Sequence, residues 1–286
     1  MKVLEAKDQA KFCLAFFPLS YMTFGLIAAE PSSNLLLDRL MLLERGRHND
    51  LEVKRITHEA EKLIRAGGDF VAQGYGVLGA TAAYQLDPDK VRSCFKNALC
   101  YSDPDNVVTY QLNRSIALHR VYQQAEALKF ILEAIDSNRD HLQLLQEGMR
   151  LSAAALQLDQ LANLRELLLR LGASMPSDLG VTEFEEQRFN SRRLELGIEY
   201  SEILKRIDTA GEVLLSNKVR FGSVHACVLP NGECNYRFNA KTTPDEAAEL
   251  TFLITDHLVD RFENAFEDLL TITVFPFEIE HLQEAA

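Results

Sequence analysis

Residues 70–137 read FVAQGYGVLGATAAYQLDPDKVRSCFKNALCYSDPDNVVTYQLNRSIALHRVYQQAEALKFILEAIDS, and this stretch decides the fold. Its apolar and small residues recur at three- and four-residue intervals, the period of a helix face rather than of a strand. When Leu78-Gly79 is laid over Arg114-Ser115, Ala82 falls on Leu118, Val91 on Ala127, Phe95 on Ile131 and Ala98 on Ala134, at a spacing of 36. Asp103-Pro104 follows the first unit and Ser137-Asn138 the second at nearly the same place. Residues 141–171 supply a third helix pair in which most positional matches are lost. A pair of short helices cannot bury its apolar faces alone, so such units must stack on their neighbours.

The helical period extends in both directions. Upstream, 35–43 is a dense apolar run, and 51–66 sets Leu51, Val53, Ile56, Ala60, Leu63 and Ile64 near one face before Gly67-Gly68 ends the helix. Residues 12–29 are strongly apolar, but Glu5 and Asp8 precede them and Pro18, Ser20 and Thr23 interrupt them. That pattern predicts a buried helix or pair of short helices rather than a signal or membrane-spanning segment. Gly74, Gly76 and Gly79 fall inside a helical pattern, with no preceding strand and no following Lys-Ser or Lys-Thr, so close helix packing explains them better than a nucleotide loop. Downstream, Thr182 caps a helical stretch at 183–216, with Glu183, Glu185 and Glu186 in the first turn where the helix dipole favours acids.

At about residue 217 the period changes to two. Residues 218–229 and 233–240 flank Asn231-Gly232, a strong signal for a two-residue hairpin turn. Such a turn places Leu229 opposite Cys234, Cys227 opposite Tyr236 and His225 opposite Phe238. Those residues and Phe221 then share an apolar face, with Arg220, Asn235, Arg237 and Asn239 on the other. Thr243-Pro244-Asp245-Glu246 opens a helix with a capping box and a proline at the first helical position. Ala247, Leu250, Ile254, Leu258, Phe262, Ala265 and Leu269 form its apolar stripe. A final strand spans 271–279, and Pro276 requires it to lie at an edge or bulge. The predicted fold is mainly α: a helical-hairpin solenoid (1–180), a connecting helix or helices (181–216) and a small acidic α+β domain of α-β-β-α-β order (217–286).

With Leu78, Gly79, Ala82, Val91, Phe95 and Ala98 in one unit and Ser115, Leu118, Ala127, Ile131 and Ala134 in the next, residues 70–172 resemble the tetratricopeptide family. The resemblance implies a solenoid with a concave peptide- or protein-binding surface. On that pattern Gln73, Tyr84, Thr109, His119 and Arg120 would point into the groove, and tyrosine and arginine are frequent binding hot spots. The chain departs from the family in having no tryptophan, in its spacing of 36 rather than 34, and in its degenerate third unit.

Composition bounds the function. Apolar residues make up 47% and charged residues 25% of 286, which suits a globular protein with a proper core. The formal charge is −12, and the last 46 residues hold eleven acids against Lys241 and Arg261. That end repels phosphate backbones and anionic lipid, so direct nucleic-acid or membrane binding is disfavoured and a basic protein or peptide partner suits it. Five scattered cysteines fit a reducing, cytoplasmic setting. His225, Cys227 and Cys234 are the nearest approach to a metal set, with His257 the obvious fourth donor, but their spacing matches no usual zinc motif. No nucleophile elbow or cofactor motif is present. The expectation is a non-enzymatic adaptor, chaperone-like or regulatory protein with no cofactor. Two alternatives stand beside it: an acidic neutralising protein that mimics nucleic acid, and an enzyme with a dispersed site near His225 and His257. An edge strand near Phe275 also allows a homodimer.

Overall fold

The turns between helices are built by one device used repeatedly. At Leu86, Tyr122 and Leu156 the backbone enters the left-handed region (φ 60°, 62° and 52°). The next residue in each case, Asp87, Gln123 or Gln157, donates its N–H back to Ala82, Leu118 or Ser152. This is the Schellman arrangement, which satisfies the last carbonyls of a helix and reverses the chain. Its recurrence at 86, 122 and 156 gives spacings of 36 and 34, so the third helix pair keeps the geometry that its sequence had blurred. Gly172, Gly197 and Lys218 end later helices in the same way.

The computed structural model describes residues 31–45, 49–176, 179, 181–264 and 268–277; the helix or helix pair expected at 12–29 lies outside them. Among the described residues ten short helices follow in succession: α1 (Pro31–Arg45), α2 (Asp50–Ala66), α3 (Phe70–Tyr84), α4 (Pro88–Tyr101), α5 (Val107–Arg120), α6 (Gln124–Ser137), α7 (Leu142–Ala154), α8 (Leu158–Arg170), α9 (Glu183–Glu195) and α10 (Tyr200–Ser216). Each of α1 to α7 packs against the next helix in the chain, and α3, α5 and α7 also pack in a row. A helical array of this kind was expected. Residues 183–216 resolve into two helices because Gly197 breaks them.

The glycines of α3 permit its tight burial. A methyl group at Gly74 would lie 2.6 Å from Ala60 O in α2, and one at Gly79 would lie 2.5 Å from the Phe95 ring in α4. Small residues let α3 sit between both neighbours, and twelve of its fifteen residues are buried.

After α10 come β1 (Arg220–Val228), β2 (Cys234–Lys241), α11 (Pro244–Arg261) and β3 (Leu270–Pro276). The sheet order is β1-β2-β3, with β1 antiparallel and β3 parallel to β2, so α11 is the crossover of a βαβ unit. Thr243 and Glu246 form the expected capping box. Pro276 ends β3, which occupies a sheet edge as proline there demands.

The hairpin register differs by one residue from that expected. Val228 pairs with Cys234, Ala226 with Tyr236 and Val224 with Phe238, while Cys227 faces Asn235 and His225 faces Arg237. Pro230 is the cause. Its fixed φ suits the second position of a type I turn, closed by Gly232 N–H donating to Leu229 O at 3.0 Å. Gly232 then takes φ 86° and the loop holds three residues rather than two. A one-residue slip moves the β1 side chains from Ser223 to Val228 to the opposite face, so His225 and Cys227 leave the apolar face and Val224, Ala226 and Val228 join it, while a bulge between Phe221 and Ser223 keeps Phe221 on the apolar side.

Candidate partner-binding surface

The buried face of the sheet rests on the row of solenoid turns. Tyr122, in the left-handed turn between α5 and α6, is fully buried and donates its hydroxyl to Val219 O at 3.1 Å. Its ring meets Phe221 and Phe238 edge-on, with centroids at 5.3 and 5.7 Å. The Tyr236 hydroxyl donates to Ala154 O, the last residue of α7, at 2.6 Å. Helix α10 closes the same seam, because Gly211 lacks the methyl that would lie 2.7 Å from Tyr122 Cβ. Asp208 of α10 accepts the N–H of Gln124 at 2.8 Å and that of Ala125 at 3.3 Å, capping the first turn of α6 from 84 residues away.

This docking settles where the five expected groove residues lie. His119 is 1% exposed; its Nδ1 bonds Gln124 Oε1, its ring abuts Phe221 at 4.7 Å, and burial lowers its pKa to about 4. Gln73 is 2% exposed inside α3, and Thr109 is half-buried in the first turn of α5. Tyr84 and Arg120 come together in one corner of the molecule. The buried Tyr84 hydroxyl accepts a hydrogen bond from Arg220 Nη1 at 2.9 Å, and the guanidinium stacks 4.4 Å from the ring centroid. Arg120 pairs with Glu44 at the end of α1, and Lys241 Nζ donates to the Glu44 carbonyl. The chain's own sheet thus engages Tyr84 and His119 of the five, and α1 engages Arg120.

An open surface with exposed apolar residues lies on α11. Its inner side buries Ala247, Leu250, Ile254 and Leu258 against α10 and β3. Thr251 Oγ1 also accepts the Val274 N–H of β3 at 3.0 Å, which engages an outward hydrogen-bonding group of the edge strand. On the outer side Phe252 is 72% exposed, Leu253 48% and Val259 56%. At 100° per residue, Ala248, Phe252, Thr255 and Val259 form one ridge, and Asp245, Glu249, Asp256 and Asp260 form the ridge beside it. All eight are exposed. The single arginine of the helix, Arg261, pairs with Glu212 of α10. These apolar residues escaped the sequence reading because they lie off the core stripe. Large apolar residues at 252 and 259, seven apart on the polar side, were the available signal.

His225 lies on the outer sheet face, its pKa lowered by burial and by Arg237, with Glu185 opposing. Cys234 is buried on the inner face, and burial pushes its thiol well above the usual range. His257 is exposed on α11. The register thus sets Cys234 on the face opposite His225 and Cys227, which the expected pairing had placed beside it, and no group of three or more His, Cys, Asp or Glu among the described residues is placed to hold a metal ion. A shallow cleft of about 350 Å³ lies between α9 and the 230–232 turn, lined by Phe184, Arg188 and Arg192 among others, remote in sequence from His257. No helix among the described residues is long and apolar enough to cross a membrane. No family model matches the chain, and no significant match exists among curated proteins or solved structures.

Proposed function

We propose that the chain is a protein-binding adaptor or chaperone-like regulator whose recognition face is the outer side of α11, and that its ligand is a basic amphipathic helix or peptide. The observation that supports this reading is the pairing of ridges. Phe252, Leu253 and Val259 offer apolar area for anchoring, and Asp245, Glu249, Asp256 and Asp260 select lysine and arginine beside it. A soluble protein gains nothing in its own fold from a phenylalanine 72% exposed, and such residues rimmed by charge are a recognised mark of interaction surfaces. The helix pairs α3–α4, α5–α6 and α7–α8 are divergent tetratricopeptide-like repeats in this reading, supported by turns at 86, 122 and 156. Their role is to hold the sheet and α11 rigidly.

The test uses the full chain and a synthetic leucine/lysine amphipathic peptide. Saturable binding is expected, lost in Phe252→Ser/Val259→Ser and absent for a lysine-only peptide of equal charge. Equal binding of the two peptides would favour the polyanion-mimic alternative, which needs the acids but not Phe252. Undiminished binding by the double variant would refute α11 as the recognition face.

A further inference from the structure

Helix α9 has an outer stripe that packing does not explain. Its inner side buries Glu186, Phe189 and Arg193, whereas Phe184, Gln187, Arg188, Ser191, Arg192 and Glu195 recur at three- and four-residue intervals on another side. That stripe is one wall of the cleft of about 350 Å³, and Pro230, Asn231 and Gly232 of the hairpin turn are the other. Gly232 brings the walls together: a methyl group there would lie 2.6 Å from Arg192 Cβ and 2.7 Å from Arg188 O. Two guanidiniums one helical turn apart therefore line one cavity in a protein of net charge −12. Both Nε groups are shielded from solvent, and neither has a hydrogen-bond acceptor among the described residues. Buried N–H groups are normally satisfied, so two orphans in one cavity call for an acceptor. Arg193 also leaves Nε unpaired, but it does not line the cleft; it donates to Ile198 O at 2.8 Å and stacks on Tyr200. The Arg188 guanidinium lies 4.3 Å from the centroid of the Phe184 ring, which is 65% exposed. Arg192 reaches Glu195 at 3.4 Å, the outer limit of a hydrogen bond.

We propose that this cleft binds the C-terminal carboxylate of a peptide ending in an apolar residue, with Arg188 and Arg192 as donors and Phe184 and Pro230 as apolar walls. A carboxylate accepts two parallel N–H bonds from a guanidinium edge, and Nε is one donor of such an edge. Charge selects the carboxylate over a phosphate dianion: two guanidiniums stand against the Glu195 carboxylate, a balance that one negative charge neutralises and two would overshoot. Because Arg188 lies on the Phe184 ring, anion and apolar group must sit side by side, and a C-terminal residue carries both on one Cα atom. The cleft is shallow and at the small end of the roughly 300–1,000 Å³ range of ligand sites, so it suits the end of a chain that continues into solvent better than an enclosed small molecule. Gln187 and Asn231 line it as well and offer side-chain amides to the preceding peptide group. Stacking on Phe184 holds Arg188 before the ligand arrives, which lowers the cost of ordering it. The site goes beyond the α11 reading and shares no residue with it.

The test is fluorescence anisotropy on the full chain with an N-terminally labelled triglycine-phenylalanine peptide, its C-terminal amide, and labelled tetraglycine with a free carboxylate. Saturable binding of the free phenylalanine acid is expected, with the amide and the tetraglycine each weaker by about tenfold or more. Arg188→Gln should weaken the acid by about tenfold, the worth of a charged hydrogen bond, and Phe184→Ser should weaken it as well. Glu195→Gln should tighten it roughly twofold, because it removes the exposed carboxylate that competes for Arg192. If Arg188→Gln does not fold, the sign of the Glu195→Gln change decides. Equal binding of acid and amide, no saturable binding of the acid, or Glu195→Gln binding that is unchanged or weaker would overturn the proposal. Unlabelled 3-phenylpropanoate that competes as strongly as the unlabelled peptide would overturn the assignment to a peptide end. Failure of the α11 test with its basic peptide does not alter these outcomes, since Phe252 and Val259 lie outside the cleft.

Discussion

Asp208 makes the seam between α10 and the solenoid sensitive to pH, and the sign follows from its surroundings. Its carboxylate caps α6, whose own N-cap residue Gln123 makes no side-chain capping bond. Burial favours the neutral acid, and Glu212 and Glu126 reinforce it; the Gln124 and Ala125 N–H groups oppose it without winning, so the pKa rises from 3.8 to about 6. A group whose folded pKa lies above its unfolded value binds more protons when folded. Its contribution to stability is complete below pH 3.8 and is lost as pH rises through about 6. At about 1.4 kcal/mol per pKa unit, the loss across that window is about 3 kcal/mol. Asp208→Asn keeps an oxygen that accepts from Gln124 and removes the titration. Urea unfolding at steps from pH 4 to pH 7.5 should show the asparagine variant gaining on the parent as pH rises, with most of the gain between pH 4 and 6.5. Asp208→Ala should instead lose about 1–2 kcal/mol relative to the asparagine variant, because two helix N–H groups lose their acceptor. A parent protein that gains stability on the asparagine variant as pH rises would show that hydrogen bonding outweighs burial, and would refute the reasoning.

Four further outcomes follow from single contacts. Tyr236→Phe removes the buried bond to Ala154 O and should cost about 1 kcal/mol or slightly more, measured by urea denaturation. Gly79→Ala drives a methyl to 2.5 Å from the Phe95 ring and should cost about 1–3 kcal/mol, or more if α3 cannot shift. Lys218→Gly relieves an exposed left-handed residue (φ 55°) and should raise stability by about 1 kcal/mol; a loss would mean the Lys218 side chain supports the turn. Phe252→Ser should leave the unfolding midpoint within about 0.5 kcal/mol of the parent, whereas fully buried Ile254→Ala should cost about 2–5 kcal/mol.

Local signals in this chain were legible wherever one residue's chemistry dictates one geometry. Thr182 and Thr243 cap as their spacing to Glu185 and Glu246 requires, and Gly74 and Gly79 mark close helix approach. The third helix pair was harder to see, because an arginine replaces an apolar residue. Arg165 stands 34 residues after Ile131, and its part-buried guanidinium forms an ion pair with buried Glu186 of α9. The turn residues Leu86, Tyr122 and Leu156 were invisible for a different reason. A left-handed turn is expected of glycine or asparagine, and here packing of large side chains offsets the backbone cost of about 1–2 kcal/mol. Pro230 misled in the other direction: Asn231-Gly232 alone reads as a two-residue turn, and the preceding proline lengthened it.

The five groove residues show why a repeat pattern locates a surface without saying what covers it. Periodicity identifies the side chains that point away from a helix pair's own core, and Tyr84, His119 and Arg120 do so. Whether such a surface meets solvent, a partner or the rest of the chain depends on contacts between residues more than a hundred positions apart, such as Tyr84 with Arg220. In this chain the buried face of the sheet, sealed by Tyr122, Phe221 and Phe238, engages Tyr84 and His119, and α1 engages Arg120. The same packing frees the outer side of α11: with Ile254 and Leu258 committed to the interior, Phe252 and Val259 cannot reach it on a rigid helix. On the function proposed above, α11 would be presented for recognition on a scaffold, and the conformational freedom that binding would otherwise cost has already been removed by folding.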